Sequence, residues 1–271
     1  MKKAFKSLLL VSGIGAVAMM SACNQNNNSG DAQDSLATDS AQMGLSIEPF
    51  TDAKEFPGAA LSIKNVTTED AGDSVKVTFN YTVQNYELTA MTEDMHAQHS
   101  ANSKDGQHIH FIMDNKPYQA LYKPTNTVTL AKGSEHVLLS FLSRSYHLSL
   151  KNDEASTLVK FKIDKNGKYM EEAAPGEPML FYSRPKGDYK GEETKNLLLD
   201  FFVKNATISP NDYKVKVSVA DTSFTVDQWQ PYLINGVGAG DLDVKIELVD
   251  KEGKELSGDY GSVKRTVKLM P

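Results

Sequence analysis

Two histidines one residue apart, His108 and His110, stand in the run Gln107-His108-Ile109-His110-Phe111-Ile112-Met113, whose composition is that of a β-strand. Side chains of a strand alternate between faces, so His108, His110 and Ile112 share one face and Ile109, Phe111 and Met113 share the other. The second set reads as a core face, which turns the histidines outward. Imidazoles at i and i+2 project in parallel, close enough to share a metal ion or an anionic ligand. All six histidines of the chain lie between His96 and His147. His136 begins a further expected strand and His147 lies just beyond its end, so both can approach the His108 strand. His108, His110, His136 and His147 are therefore the candidate metal site, with Zn or Cu as the expected ion, because imidazole suits both. The plainer alternative is four separate hydrogen-bonded or surface histidines.

Two further groupings could do chemistry. Met95, His96 and His99, with Met91 nearby, combine thioether and imidazole, a donor set that suits copper. The plain alternative is a polar loop that collects such residues without purpose. Arg144 lies in Ser143-Arg144-Ser145-Tyr146-His147, and Arg184 in Ser183-Arg184-Pro185-Lys186. A guanidinium flanked by hydroxyls can grip a carboxylate or phosphate, or simply close a turn and pair with a surface carboxylate. Trp229-Gln230-Pro231-Tyr232 can stack on a sugar, although packing is the simpler role. Catalytic motifs are missing: there is no Gly-x-Ser-x-Gly, no His-Glu-x-x-His and no phosphate loop. No catalytic residue is assigned, and the chain is not expected to be an enzyme.

The elements that must position these residues read as strands. Residues 74–86 alternate Val75, Val77, Phe79, Tyr81 and Val83 with Lys76, Thr78, Asn80, Thr82 and Gln84, a half-buried antiparallel strand. Short strand candidates follow at 108–113, 118–122, 127–130, 135–142 and 156–163, after an earlier one at 60–66. A charged, turn-rich stretch with Asn166-Gly167 and Pro175-Gly176 marks a boundary, and the same rhythm then recurs. Residues 75–86 correspond to 197–208, the His108 strand to 215–219, and 137–142 to 244–249. One register of that repeat sets Val215 and Val217 opposite the histidines, and a one-residue slip sets Lys214 and Lys216 there. The fold class expected is all-β: two tandem immunoglobulin-like β-sandwich domains at 58–164 and 177–271.

The N-terminus reads as a secretory signal over 1–22, with Lys2, Lys3 and Lys6 before a short apolar run. Met20-Ser21-Ala22-Cys23 resembles the bacterial lipobox, and Cys23 is the only cysteine. That resemblance implies cleavage before Cys23, lipidation of it, and a membrane contact made through the lipid. With Asn24 next, it implies an outer-membrane lipoprotein of the cell envelope, facing the periplasm or the surface. Residues 23–57 are rich in Asn, Gln, Ser and Asp and read as a disordered tether. A formal net charge of −6 without a basic stripe argues against nucleic acid as a partner.

The stretches from Gly106 to Tyr118, His136 to His147 and Phe181 to Tyr189, with Trp229-Gln230-Pro231-Tyr232, resemble exported lipoproteins of Bacteroidetes-type bacteria often labelled phosphopeptide-binding. The label implies a protein or phosphorylated peptide as partner, although the Gly-Arg, Ser and His pattern of forkhead-associated domains is missing. The likeness includes His108, His110, His136 and His147 and does not clearly extend to Met95, His96 or His99. The expected function is a non-enzymatic binding lipoprotein with a histidine-lined site in its first domain. The alternative is a structural or adhesive surface module without a small-ligand site.

Overall fold

A computed structural model describes residues 44–271. Cys23, the signal segment and residues 24–43 of the expected tether lie outside the described residues. Seventeen strands follow one another: β1 Ser46–Pro49, β2 Ala60–Ala71, β3 Ser74–Gln84, β4 His108–Met113, β5 Gln119–Leu121, β6 Thr125–Ala131, β7 Glu135–Ser143, β8 Ser156–Ile163 and β9 Tyr169–Glu171 come first. Then come β10 Met179–Arg184, β11 Asp188–Lys190, β12 Leu197–Lys204, β13 Lys214–Val219, β14 Thr222–Val226, β15 Tyr232–Asn235, β16 Gly240–Val249 and β17 Ser262–Met270. Among the described residues no helix is long and apolar enough to cross a membrane.

The strands make two sandwiches. In the first, the sheet β2-β3-β6 faces the sheet β5-β4-β7-β8-β9; in the second, β1-β15-β12-β10 faces β11-β17-β16-β13-β14. Set β1, β9 and β11 aside, and the orders are the same: β2-β3-β6 matches β10-β12-β15, and β5-β4-β7-β8 matches β14-β13-β16-β17. The fold is therefore all-β, a tandem pair of immunoglobulin-like sandwiches. The repeat read from sequence holds strand for strand, with β3 answering β12, β4 answering β13 and β7 answering β16.

Alternation explains each core. Val75, Val77, Phe79 and Tyr81 of β3 point inward and meet Ile109, Phe111, Leu138 and Phe161 of the opposite sheet. Phe79 touches both Phe111 and Phe161 edge-on at 5.6 Å. In the second sandwich Val215, Val217 and Val219 face Leu199, Phe201 and Val203. Fully burying each such side chain contributes roughly 1.5–3 kcal/mol.

The two sandwiches share a third apolar layer. Ile112, Val137, Leu139 and Phe141, on the faces of β4 and β7 turned away from their own core, pack on Met179, Phe181 and Phe202 of β10 and β12. Phe141 stacks on Phe202 at 4.9 Å. Polar bonds stitch the same seam: Asn115 Nδ2 donates to Leu180 O (2.8 Å) and Lys186 Nζ to Tyr118 O (2.8 Å). Asp200 of β12 is fully buried and accepts from Ser149 Oγ (2.8 Å) and Lys151 Nζ (2.9 Å). Burial pulls the Lys151 ammonium below its usual range, and the Asp200 carboxylate partly restores it.

Two expectations change. The tether expected to run to residue 57 gives way at Ser46, where β1 pairs antiparallel with β15 and Phe50 is buried behind it. The histidine face of β4 was expected to look outward. It does turn away from the core of its own sandwich, yet both His108 and His110 are fully buried. The reason is the seam: on β13 the equivalent face carries Lys214 and Lys216, half-buried, whereas on β4 the second sandwich covers it.

Candidate functional site

The site grows from the end of β4 nearest residue 106. Gly106 sits at φ +79, and a Cβ there would meet Thr89 O at 2.2 Å, so only glycine lets the loop pass. Its carbonyl accepts from His108 Nδ1 at 2.8 Å. That bond fixes the tautomer of His108: the proton is on Nδ1, and Nε2 carries the lone pair. The strand then places His110 two residues on, with its Nε2 2.9 Å from His108 Nε2. His110 Nδ1 lies 3.1 Å from Ser183 Oγ of β10.

The third imidazole comes from the turn after β7. Arg144 N donates to Leu148 O (2.9 Å) and His147 N to Arg144 O (2.9 Å), which closes a tight loop with His147 at φ 69. A side chain other than glycine rarely adopts that backbone, and such outliers gather at functional positions. The turn brings His147 Nδ1 to 3.0 Å from His108 Nε2 and 3.2 Å from Tyr118 Oη. Tyr118 lies flat on His110, with ring centroids 3.6 Å apart and 8° between planes. Lys186 Nζ stands 4.0 Å from the centroid of the same ring, so the phenol is sandwiched between imidazole and ammonium.

His108, His110 and His147 thus form the one grouping, among the described residues, of three or more His, Cys, Asp or Glu side chains whose ligand atoms could hold a metal ion. Burial lowers His108 to about 4, with the Arg184 and Lys186 cations adding to the effect. Burial likewise carries His110 and His147 well below the usual imidazole range, reinforced by neighbouring histidines and the same two cations. All three rings are neutral at neutral pH, the form in which imidazole ligates.

His136, expected as the fourth member, is elsewhere. The β4–β7 register pairs His108 with Ser143 and Met113 with Leu138, so His136 lies beyond the opposite end of β4. There its Nδ1 meets Asp114 Oδ2 at 2.8 Å and its Nε2 meets Ser134 Oγ at 2.8 Å. Of the other expected cluster, Met95 opens a short 3-10 turn, Met95–Gln98, and His99 follows it as the C-cap, both exposed, while the His96 ring turns onto Phe50 at 4.1 Å. Arg144 donates to Lys54 O (2.8 Å) and Ser149 O (3.1 Å), and Arg184 to Lys186 O (3.1 Å) and Tyr189 Oη (3.0 Å). Both guanidinium groups are buried and spend donors on the protein itself. Trp229 donates to Phe201 O (3.2 Å) and packs edge-on against Phe202. It also borders an open groove of about 520 Å³ with Phe50, Arg144 and Lys151.

Ser183 and Tyr118 were not assigned to the histidines from sequence. Ser183 is 73 residues from His110, and no local pattern encodes a contact made across the seam.

The strand order and the seam define a tandem β-sandwich module. No family model matches the chain, and no curated protein does. Among solved structures it is similar to the fibronectin(III)-like modules of Clostridium thermocellum CbhA, at 12% identity and a TM-score of 0.25, over 77% of this chain and 92% of that one. It is also similar to the central fibronectin-III array of RIM-binding protein, at 10% identity and a TM-score of 0.25, over 78% of this chain and 69% of that one.

Proposed function

We propose that this chain is a non-enzymatic structural or adhesive module of the cell envelope, held at a membrane by lipid on Cys23. One observation carries the reading: the outer face of β10 and β12 is spent on the outer face of β4 and β7, through Phe181, Phe202, Leu139 and Phe141. Two sandwiches joined by a shared apolar layer act as one stiff block, suited to bearing load or presenting a surface at a fixed distance. A catalyst would need an accessible acid, base or nucleophile in a cleft. In the strongest cluster of such groups, at His108, His110 and His147, the first two are fully buried in the seam and the third is half-buried at its edge.

Anchoring and stiffness are what such a module requires, and the test removes each. Cells lacking the protein are complemented with the wild type, with Cys23→Ser, or with a seam-breaking Phe202→Ser, and scored for adherence and detergent sensitivity. Loss of complementation by both variants, despite accumulation of the protein, supports the module. Full complementation by unanchored Cys23→Ser would fit a diffusible binder or catalyst and would remove this reading.

A further inference from the structure

We propose that His108 Nε2, His110 Nε2 and His147 Nδ1 form a three-nitrogen site for a divalent transition cation of the zinc or copper class, set at the seam between the sandwiches. The site goes beyond the structural reading and stands or falls separately from it.

Three ring nitrogens converge, with separations of 2.9 and 3.0 Å about His108 Nε2. The Gly106 carbonyl accepts a hydrogen bond from His108 Nδ1–H, so the neutral ring carries its proton there and His108 Nε2 has a lone pair and nothing to donate. Its single lone pair cannot accept well from both His110 and His147. If either neighbour turns a lone pair toward it instead, two lone pairs oppose each other at about the length of a hydrogen bond. One cation satisfies all three lone pairs at once. Three imidazole nitrogens on a tetrahedral zinc, bonded at about 2.0–2.1 Å, stand about 3.3 Å apart. The two separations about His108 Nε2 need only a few tenths of an ångström of expansion to reach that, and one ligand atom from each of the three residues lies within 4.8 Å of the others.

Each ring is held from behind, as metal-bound imidazoles usually are. His108 is held by the Gly106 carbonyl and His110 by Ser183 Oγ and the Tyr118 face. His147 is held by a turn that keeps it in a left-handed backbone. Tyr118 Oη, 3.2 Å from His147 Nδ1, puts an oxygen beside the ligands. Arg184 and Lys186 add positive charge nearby, which opposes a dication. The Tyr118 ring stands between Lys186 and His110 and keeps that ammonium out of contact. Ser183, Arg184 and Lys186 all belong to the second sandwich, so loading the site couples the metal to the seam.

The test uses the full chain, stripped with a chelator and titrated with Zn²⁺ and, separately, Cu²⁺ at about pH 7.5, where imidazole is neutral. Calorimetry is expected to show one site per chain. His147→Gly removes a ligand at a position where glycine accepts the positive φ freely. His108→Phe removes another while keeping an aromatic in the buried space. Either change is expected to weaken binding about a hundredfold or more, and His136→Ala to leave it unchanged. Electron paramagnetic resonance of the Cu²⁺ form should lose one nitrogen donor in His147→Gly. Near-ultraviolet circular dichroism confirms that each variant is folded. The proposal is overturned if the wild type binds neither ion. Equal binding in folded His147→Gly and His108→Phe overturns it too, and assigns the ion to surface donors such as Met95, His96 and His99.

Discussion

His110 Nδ1 and Ser183 Oγ lie 3.1 Å apart, although one residue belongs to the first sandwich and the other to the second. The contact places a histidine that faces away from its own core inside the molecule. Around it the outer face of β4 and β7 meets β10 and β12, and most of what is specific to this chain follows from that meeting. The equivalent face of β13 and β16 carries charged residues: Lys216 Nζ meets Glu255 Oε1 at 3.1 Å, and Lys245 pairs with Glu247.

Phe202 offers a direct reading of the seam. It points away from the core of its own sandwich yet is fully buried against Phe141 and Trp229. Phe202→Ala is expected to destabilise the chain by about 3–5 kcal/mol, the range for a buried aromatic. The denaturant midpoint should fall accordingly. A change within about 0.5 kcal/mol, typical of an exposed position, would mean that the sandwiches do not pack in solution as described.

Asp200 tests the polar part of the seam. Its carboxylate is fully buried and holds Ser149 and Lys151 of the first sandwich. Asp200→Ala leaves the Lys151 ammonium buried beside Phe202 and Trp229 without its counter-charge. The expected loss is about 3–5 kcal/mol. The double variant Asp200→Ala, Lys151→Met should recover a substantial part of it, because no uncompensated charge remains. Equilibrium unfolding of wild type, both single variants and the double variant supplies the comparison.

Asp94 ties the loop before β4 to the rest of the chain. It accepts from Tyr146 Oη (2.6 Å), His96 N (2.9 Å), Ala97 N (3.1 Å) and Lys54 N (3.1 Å). Burial pulls its pKa up, but these bonds together outweigh burial and hold it below the ordinary 3.8. A folded pKa below the unfolded one means that the unfolded state takes up the proton first as pH falls. The contribution of Asp94 is therefore complete above the unfolded value and lost as pH drops through the folded one. The amide resonances of Lys54, His96 and Ala97 should shift together with one midpoint below 3.8, and Asp94→Asn should abolish that titration. Independent midpoints for the three amides would contradict the shared anchor.

Much of the fold was legible because alternation is a strong signal. Val75, Val77, Phe79 and Tyr81 marked β3 and its inward face correctly. Strands β1, β9 and β11 were not legible: each has only three or four residues, too few to show a period. The seam was hidden at β4, where histidines read as a solvent face. It did leave one mark elsewhere. Met179-Leu180-Phe181-Tyr182 and Leu197-Leu198-Leu199 are apolar on both faces, the pattern of strands buried on both sides. Within the candidate site, proximity of His108 to His110 followed from strand geometry alone. His147 needed the turn at 144–148 and Ser183 needed the second sandwich, while His136 was misplaced because the β4–β7 register runs it past the far end.

The central claim is that the seam makes two sandwiches into one block. Differential scanning calorimetry of the full chain, metal-free and at low concentration, tests it most directly. One transition is expected, with calorimetric and van't Hoff enthalpies equal, and Phe202→Ala should lower that single midpoint without splitting it. Two transitions in the wild type, of which Phe202→Ala moves only the one belonging to its own sandwich, would contradict the claim.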